Sequence, residues 1–73
     1  MTQDIGTTYG LVQVTAARLG LIVSQHGRYI GRLNEEQDGT YTVYWHSPYS
    51  GTECKGSVNT MELGLEFLAE PSV

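Results

Sequence analysis

Short runs of β-branched, aromatic and aliphatic residues recur along the chain between glycines and polar clusters, a rhythm that predicts strands. The clearest run is Thr40 to His46, β-branched or aromatic until its last residue and entered through Gln37-Asp38-Gly39, a turn signal. Ahead of it, Arg28-Tyr29-Ile30-Gly31-Arg32-Leu33 predicts its hairpin partner, joined through the polar loop Asn34 to Asp38. Leu19-Gly20-Leu21-Ile22-Val23, ended by Gln25-His26-Gly27, is too short for a stable helix and predicts another strand. Ser47 to Gly51 reads as a loop, and Thr52 to Val58 as a weaker strand at a sheet edge. Gly10 to Ala17 stays open: Leu11-Val12-Gln13-Val14-Thr15 suits a strand, while Thr15 also suits a cap for a helix through Ala16, Ala17 and Arg18.

The segment from Met61 to Glu70 is the test of periodicity. At period two, Met61, Leu63, Leu65, Phe67 and Ala69 share one face, broken only by Leu68. As a helix it stacks Glu62, Glu66 and Glu70 at i, i+4 and carries Gly64 at a cost of about 1 kcal/mol. A strand is therefore expected for the second half, preceded by a short 3₁₀ or helical turn near residues 59–63, with a full helix from Thr60 as the alternative. A valine five residues before Leu-Gly-Leu occurs both at Val14 and at Val58, an echo of small apolar words that coincidence explains.

A chain of 73 residues bounds this pattern to one domain, since chains so short bury only about 60% of their unfolded surface. The division expected is an N-terminal segment over 1–18, an extra strand or short helix, a β domain over 19–70 and a tail over 71–73. Domains of this size without disulfide or metal often gain stability by association, so a homo-oligomer or a larger assembly is expected.

Charge narrows the partners. Four bases, Arg18, Arg28, Arg32 and Lys55, stand against eight acids, for a net charge of −4. Residues 1–33 carry +2 and residues 34–73 carry −6. Duplex nucleic acid is not an expected ligand, because binding it needs several phosphates neutralised by Lys and Arg. Cys54 is the single cysteine, which excludes an internal disulfide and a multi-Cys metal site and points to a reducing compartment. No apolar run approaches membrane-spanning length, and Met1 to Gly10 lacks a basic, apolar leader pattern, so a cytoplasmic protein without membrane contact is expected, in a host cytoplasm or on a virion if phage-encoded.

Leu21-Ile22-Val23, Tyr29-Ile30-Gly31-Arg32-Leu33, Gly39 to Trp45, a looped hairpin, a turn near Asn59 and Leu65-Glu66-Phe67-Leu68 together resemble the SH3-like small-barrel superfold, the group containing Tudor domains, KOW domains and the small ferredoxin-docking domains of photosystem I. The resemblance covers about fifty residues and implies a mainly β domain, a small antiparallel barrel of about five short strands. Tyr49-Ser50-Gly51 followed by Gly56-Ser57-Val58-Asn59-Thr60 looks like the glycine-rich loop and Val-Asn-Thr turn of the photosystem I domains. That family docks an acidic ferredoxin on basic residues, whereas the corresponding strands here carry only Arg28, Arg32 and Lys55. Small acidic domains of this layout are also similar in style to bacteriophage accessory proteins.

Catalytic chemistry finds little footing. His26 belongs to a predicted turn and reads as solvated; His46 ends a strand; Cys54 on a strand reads as a small packing residue. There is no phosphate-binding glycine loop between strand and helix and no ligand set with metal spacing, and Glu35-Glu36-Gln37-Asp38 reads as a solvated hairpin tip. Neither enzymatic activity nor a cofactor or metal is expected.

Five tyrosines and one tryptophan are more informative. With Tyr41, Val43 and Trp45 inward, strand parity turns Thr42, Tyr44 and His46 outward. Tyr44 with Tyr49, Tyr29, His46 and Arg28 then forms the candidate partner-binding patch, aromatic and cationic as protein interfaces often are. Exposed tyrosines also simply suit a solvated sheet face. The function expected is a non-enzymatic protein-interaction module, structural or inhibitory; the alternative is a reader of peptides or single-stranded nucleic acid.

Overall fold

A computed structural model describes residues 2–18, 20–46 and 51–69. Within them run six strands and one helix: β1 Thr2–Thr7, β2 Gly10–Ala17, β3 Gly20–Gln25, β4 Arg28–Glu35, β5 Tyr41–His46, β6 Glu53–Val58 and α1 Met61–Ala69. The strands form one antiparallel sheet in the order β1-β2-β3-β4-β5-β6, each paired with its neighbour in sequence. The chain is thus mainly β, as the alternating pattern predicts. The sheet is open, with β1 and β6 as its two edges, which corrects the closed barrel of about five strands.

Local chemistry explains the turns. His26 and Gly27 both have positive φ, 55° and 75°, the two-residue hairpin geometry whose twist matches that of the flanking strands. At the longer β4–β5 connection, Asp38 Oδ1 accepts from both the Thr40 N–H (3.0 Å) and Oγ1 (2.6 Å), and the Gly39 N–H donates to the Glu36 carbonyl. The two bonds from Thr40 hold the Asp38 carboxyl below its usual pKa, the hydroxyl contributing most.

The apolar face of the sheet is lined by Val12, Val14, Val23, Leu33 and Val43, all buried, and α1 packs across it with Leu65, Leu68 and Ala69. The helix touches every strand, both edges included. Residues 61–69 are therefore a helix throughout, which corrects both the strand expected for the second half and the short turn near 59–63. The reason lies in the facing surface. Met61, Gly64, Leu65, Leu68 and Ala69 fall at i, i+3, i+4, i+7 and i+8, a helical stripe that buries against the sheet. Thr60 caps the start, its Oγ1 accepting the Leu63 N–H at 3.2 Å. Glu66, counted against the helix for its repulsion with Glu62, accepts the Thr8 N–H at 2.7 Å.

β1 and β2 belong to this same sheet, so Gly10 to Ala17 resolves as strand. Among the described residues, no helix is long and apolar enough to cross a membrane.

Candidate functional site

The face of the sheet turned away from α1 is organised by register. Thr2, Thr15, Ile22, Arg32, Tyr44 and Lys55 are successive cross-strand partners, forming one row across all six strands. Thr15, Ile22, Arg32 and Tyr44 each have a chain neighbour buried on the helix side, so the row lies on the open face. At one end the Thr2 and Thr15 hydroxyls are 2.9 Å apart. Toward the other, the Arg32 guanidinium carbon lies 4.1 Å from the Tyr44 ring centroid, a cation-π contact, and Arg32 reaches Glu53 at 3.9 Å.

A second aromatic pair adjoins this row. The rings of Tyr29 and His46 meet edge to face with centroids 6.5 Å apart. Strict alternation would have put Tyr29 on the helix side with Gly31 and Leu33. A register shift intervenes: Val23 opposes Gly31 but Ser24 opposes Tyr29, which leaves Ile30 as an extra residue on β4. Ile30 packs against the core, and Tyr29 turns to the open face at 45% exposure. The β-bulge thereby aims Tyr29 at His46.

The structure thus brings Tyr29, Tyr44 and His46 onto one face, whereas Arg28, exposed at the head of β4, opposes Gln25 and so alternates to the other face. Tyr49 lies outside the described residues. Arg32, Glu53 and Lys55 are contributors that sequence reasoning did not gather, although the parity that turned Tyr44 outward gives Arg32 the same face once the strands are in register. Arg28, Arg32 and Lys55 sit on β4 and β6 with Glu53 among them, whereas Glu35, Glu36 and Asp38 occupy the far end of the β4–β5 hairpin and Glu62 and Glu66 the helix. At that acidic end Tyr41 donates to Glu35 at 3.5 Å; desolvation, then the Glu35 charge, pushes its phenol above the usual range.

The remaining chemistry-bearing residues do not converge. His26 is an exposed turn residue. Cys54 opposes Trp45, and the adjacent pair His46 and Glu53 occupies the other face, so Cys54 and His46 cannot form a nucleophile-base dyad. Among the described residues, no group of three or more His, Cys, Asp or Glu side chains is placed to hold a metal ion.

On the helix side, Trp45 and Phe67 pack edge to face with centroids 4.7 Å apart. They border an apolar cleft of about 160 Å³ completed by Val43, Gly56, Ser57 and Val58. Phe67 (43% exposed) and Leu63 (53%), one helical turn apart, form an apolar shoulder beside β6.

These features define an open six-stranded meander covered by one helix, with a cation-aromatic row on its free face. No family model matches the chain, and no curated protein or solved structure does.

Proposed function

We propose that this domain is a non-enzymatic interaction module that docks on a larger protein through the open face of β4, β5 and β6. The observation that carries this reading is the convergence of Tyr29, His46, Arg32 and Tyr44 on one uncovered face, part of it aimed there by a bulge. Aromatic and arginine side chains contribute disproportionately to interfaces, offering broad contact area with few rotatable bonds. The bases beside them favour a partner segment with exposed carboxylates, while the acids on the hairpin end and the helix disfavour other approaches.

Capture from the source cell with the parent and a Tyr29→Ala/Tyr44→Ala variant tests the reading. The parent is expected to retain a partner that the variant loses, with the variant's circular dichroism unchanged. Equal capture by both would reject this face as the docking surface.

A second reading, recognition of single-stranded nucleic acid, draws on the Arg32-Tyr44-Lys55 row, which alternates a cation with a stacking ring. Anisotropy with a labelled single strand beside the matching duplex separates the two. Binding confined to the single strand, lost with Tyr44→Ala and weakened by salt, would favour nucleic acid over protein; duplex binding is not expected at a net charge of −4.

A further inference from the structure

Among the described residues, β6 pairs with β5 on one side and with no strand on the other. A free edge exposes alternate N–H and C=O groups and is a template for a further strand. Along it, Glu53, Lys55 and Ser57 project to the open face and Cys54, Gly56 and Val58 to the helix side. Lys55 is exposed and, among the described residues, makes no ion pair.

We propose that β6 pairs antiparallel with β6 of a second copy of this chain, in the register that sets Glu53 opposite the second copy's Lys55. A two-fold axis normal to the sheet keeps both open faces on the same side and sets one residue opposite its own counterpart. Centring on Glu53 or on Lys55 brings like charges face to face, which is destabilising. Centring on Gly56 leaves Glu53 opposite Asn59 and Lys55 opposite Ser57, neither charge matched. Centring on Cys54 forms two symmetric Glu53-Lys55 pairs.

A second observation points to the same occupant. The apolar shoulder of Leu63 and Phe67 lies beside this edge, with Phe67 against Trp45 and the Trp45 ring over Gly56, where a β-carbon would be 3.6 Å from Cζ3. The symmetry that matches the charges sets both shoulders on the same side of the joined sheet, so two cores become continuous across it. An isolated domain leaves these side chains wet; a second copy covers them with the same surface.

Light scattering on the parent and on Glu53→Lys and Lys55→Glu variants tests the inference by mass alone, so its outcome is independent of docking on the open face. The parent is expected to be dimeric, and each single variant to dissociate with a Kd raised at least tenfold. Mixing the two singles is expected to restore a dimer, because one then presents lysine and the other glutamate at both positions; this recovery also shows that both variants fold. Glu53→Gln/Lys55→Gln is a neutral control expected to weaken the dimer without altering circular dichroism.

Register has its own ruler. Residues directly opposed across an antiparallel pair have Cα atoms about 4.5–5.5 Å apart, within disulfide reach. Diamide, which takes up the two thiol hydrogens as the disulfide forms, is expected to give a species at twice the 8.0 kDa chain mass, absent in Cys54→Ser. A parent that stays monomeric at every concentration, a dimer indifferent to the single charge reversals, or one that diamide does not link would each overturn the assignment.

Discussion

Leu68 of α1 sits directly above Gly31 of β4: a β-carbon at position 31 would collide with the leucine methyl groups and lie 2.6 Å from the Tyr44 carbonyl oxygen. Gly31 is thus the depression into which the helix settles, one residue past the bulge that turns Tyr29 outward. Packing and presentation of the open face meet in this short stretch of β4.

Gly31→Ala is accordingly expected to destabilise the fold by about 1–3 kcal/mol, the usual cost of overpacking a close-packed site. Since one kcal/mol moves the midpoint of so small a domain by roughly 4–8 °C, thermal melts will register it. A melt equal to the parent's would mean that the helix does not seat on β4 at this point.

Gly64 gives a prediction of opposite appearance. Glycine to alanine inside a helix normally stabilises by about 1 kcal/mol. Here the added carbon would lie 2.7 Å from Leu33 Cδ2, so Gly64→Ala is expected to destabilise, by about 1 kcal/mol net. Leu33→Val should restore room, making the two substitutions non-additive in denaturant titrations.

Trp45 and Tyr44, adjacent on β5, are expected to diverge. Trp45→Ala removes the packing partner of Phe67 and one wall of the cleft, and a loss of about 3 kcal/mol is expected, the lower end for a truncated aromatic because the indole is half-buried. Tyr44→Ala, losing mainly the Arg32 contact, should cost about 1 kcal/mol. Chemical denaturation of the pair would expose inverted parity if the tyrosine variant proved the weaker.

Asp38 supplies a pH dependence. Its folded pKa is depressed, so its contribution to stability is present above the unfolded value, about 3.9, and is lost as pH falls through the folded one. Thr40→Val removes the hydroxyl donor but keeps the N–H donor, and the carboxyl should therefore titrate closer to its usual value. Carboxyl-carbon NMR titration of both proteins measures the change; an unaltered Asp38 titration would assign the depression elsewhere.

The strands most legible in the sequence were those whose side chains declare a half-buried surface by themselves, above all Thr40 to His46, whose parity correctly separates buried Val43 from Tyr44 on the open face. β1 was harder, because Thr2-Gln3-Asp4-Ile5-Gly6-Thr7 contributes chiefly Ile5 to the core and owes its extension to pairing with β2. The sequence leaves the helix only as the alternative to a strand for a tertiary reason: Gly64 looks like a cost until Leu33 beneath it is known, and Glu66 looks like repulsion until Thr8 arrives from the other end of the chain. Tyr29 joined the candidate face through a one-residue slip that periodicity does not announce, whereas Arg32 and Lys55 needed the register before their alignment with Tyr44 could be seen.

The meander has a consequence for how the chain acquires its structure during synthesis. Every strand can find its mate as soon as the next turn emerges, so the loop-closure entropy of the sheet is small at each step and no pairing has to wait for a distant part of the chain. The cover comes last. Until residues 61–69 are made, Val12, Val23, Leu33 and Val43 line a sheet surface with nothing above it, and the nascent domain is adhesive on the side that the finished helix makes inert.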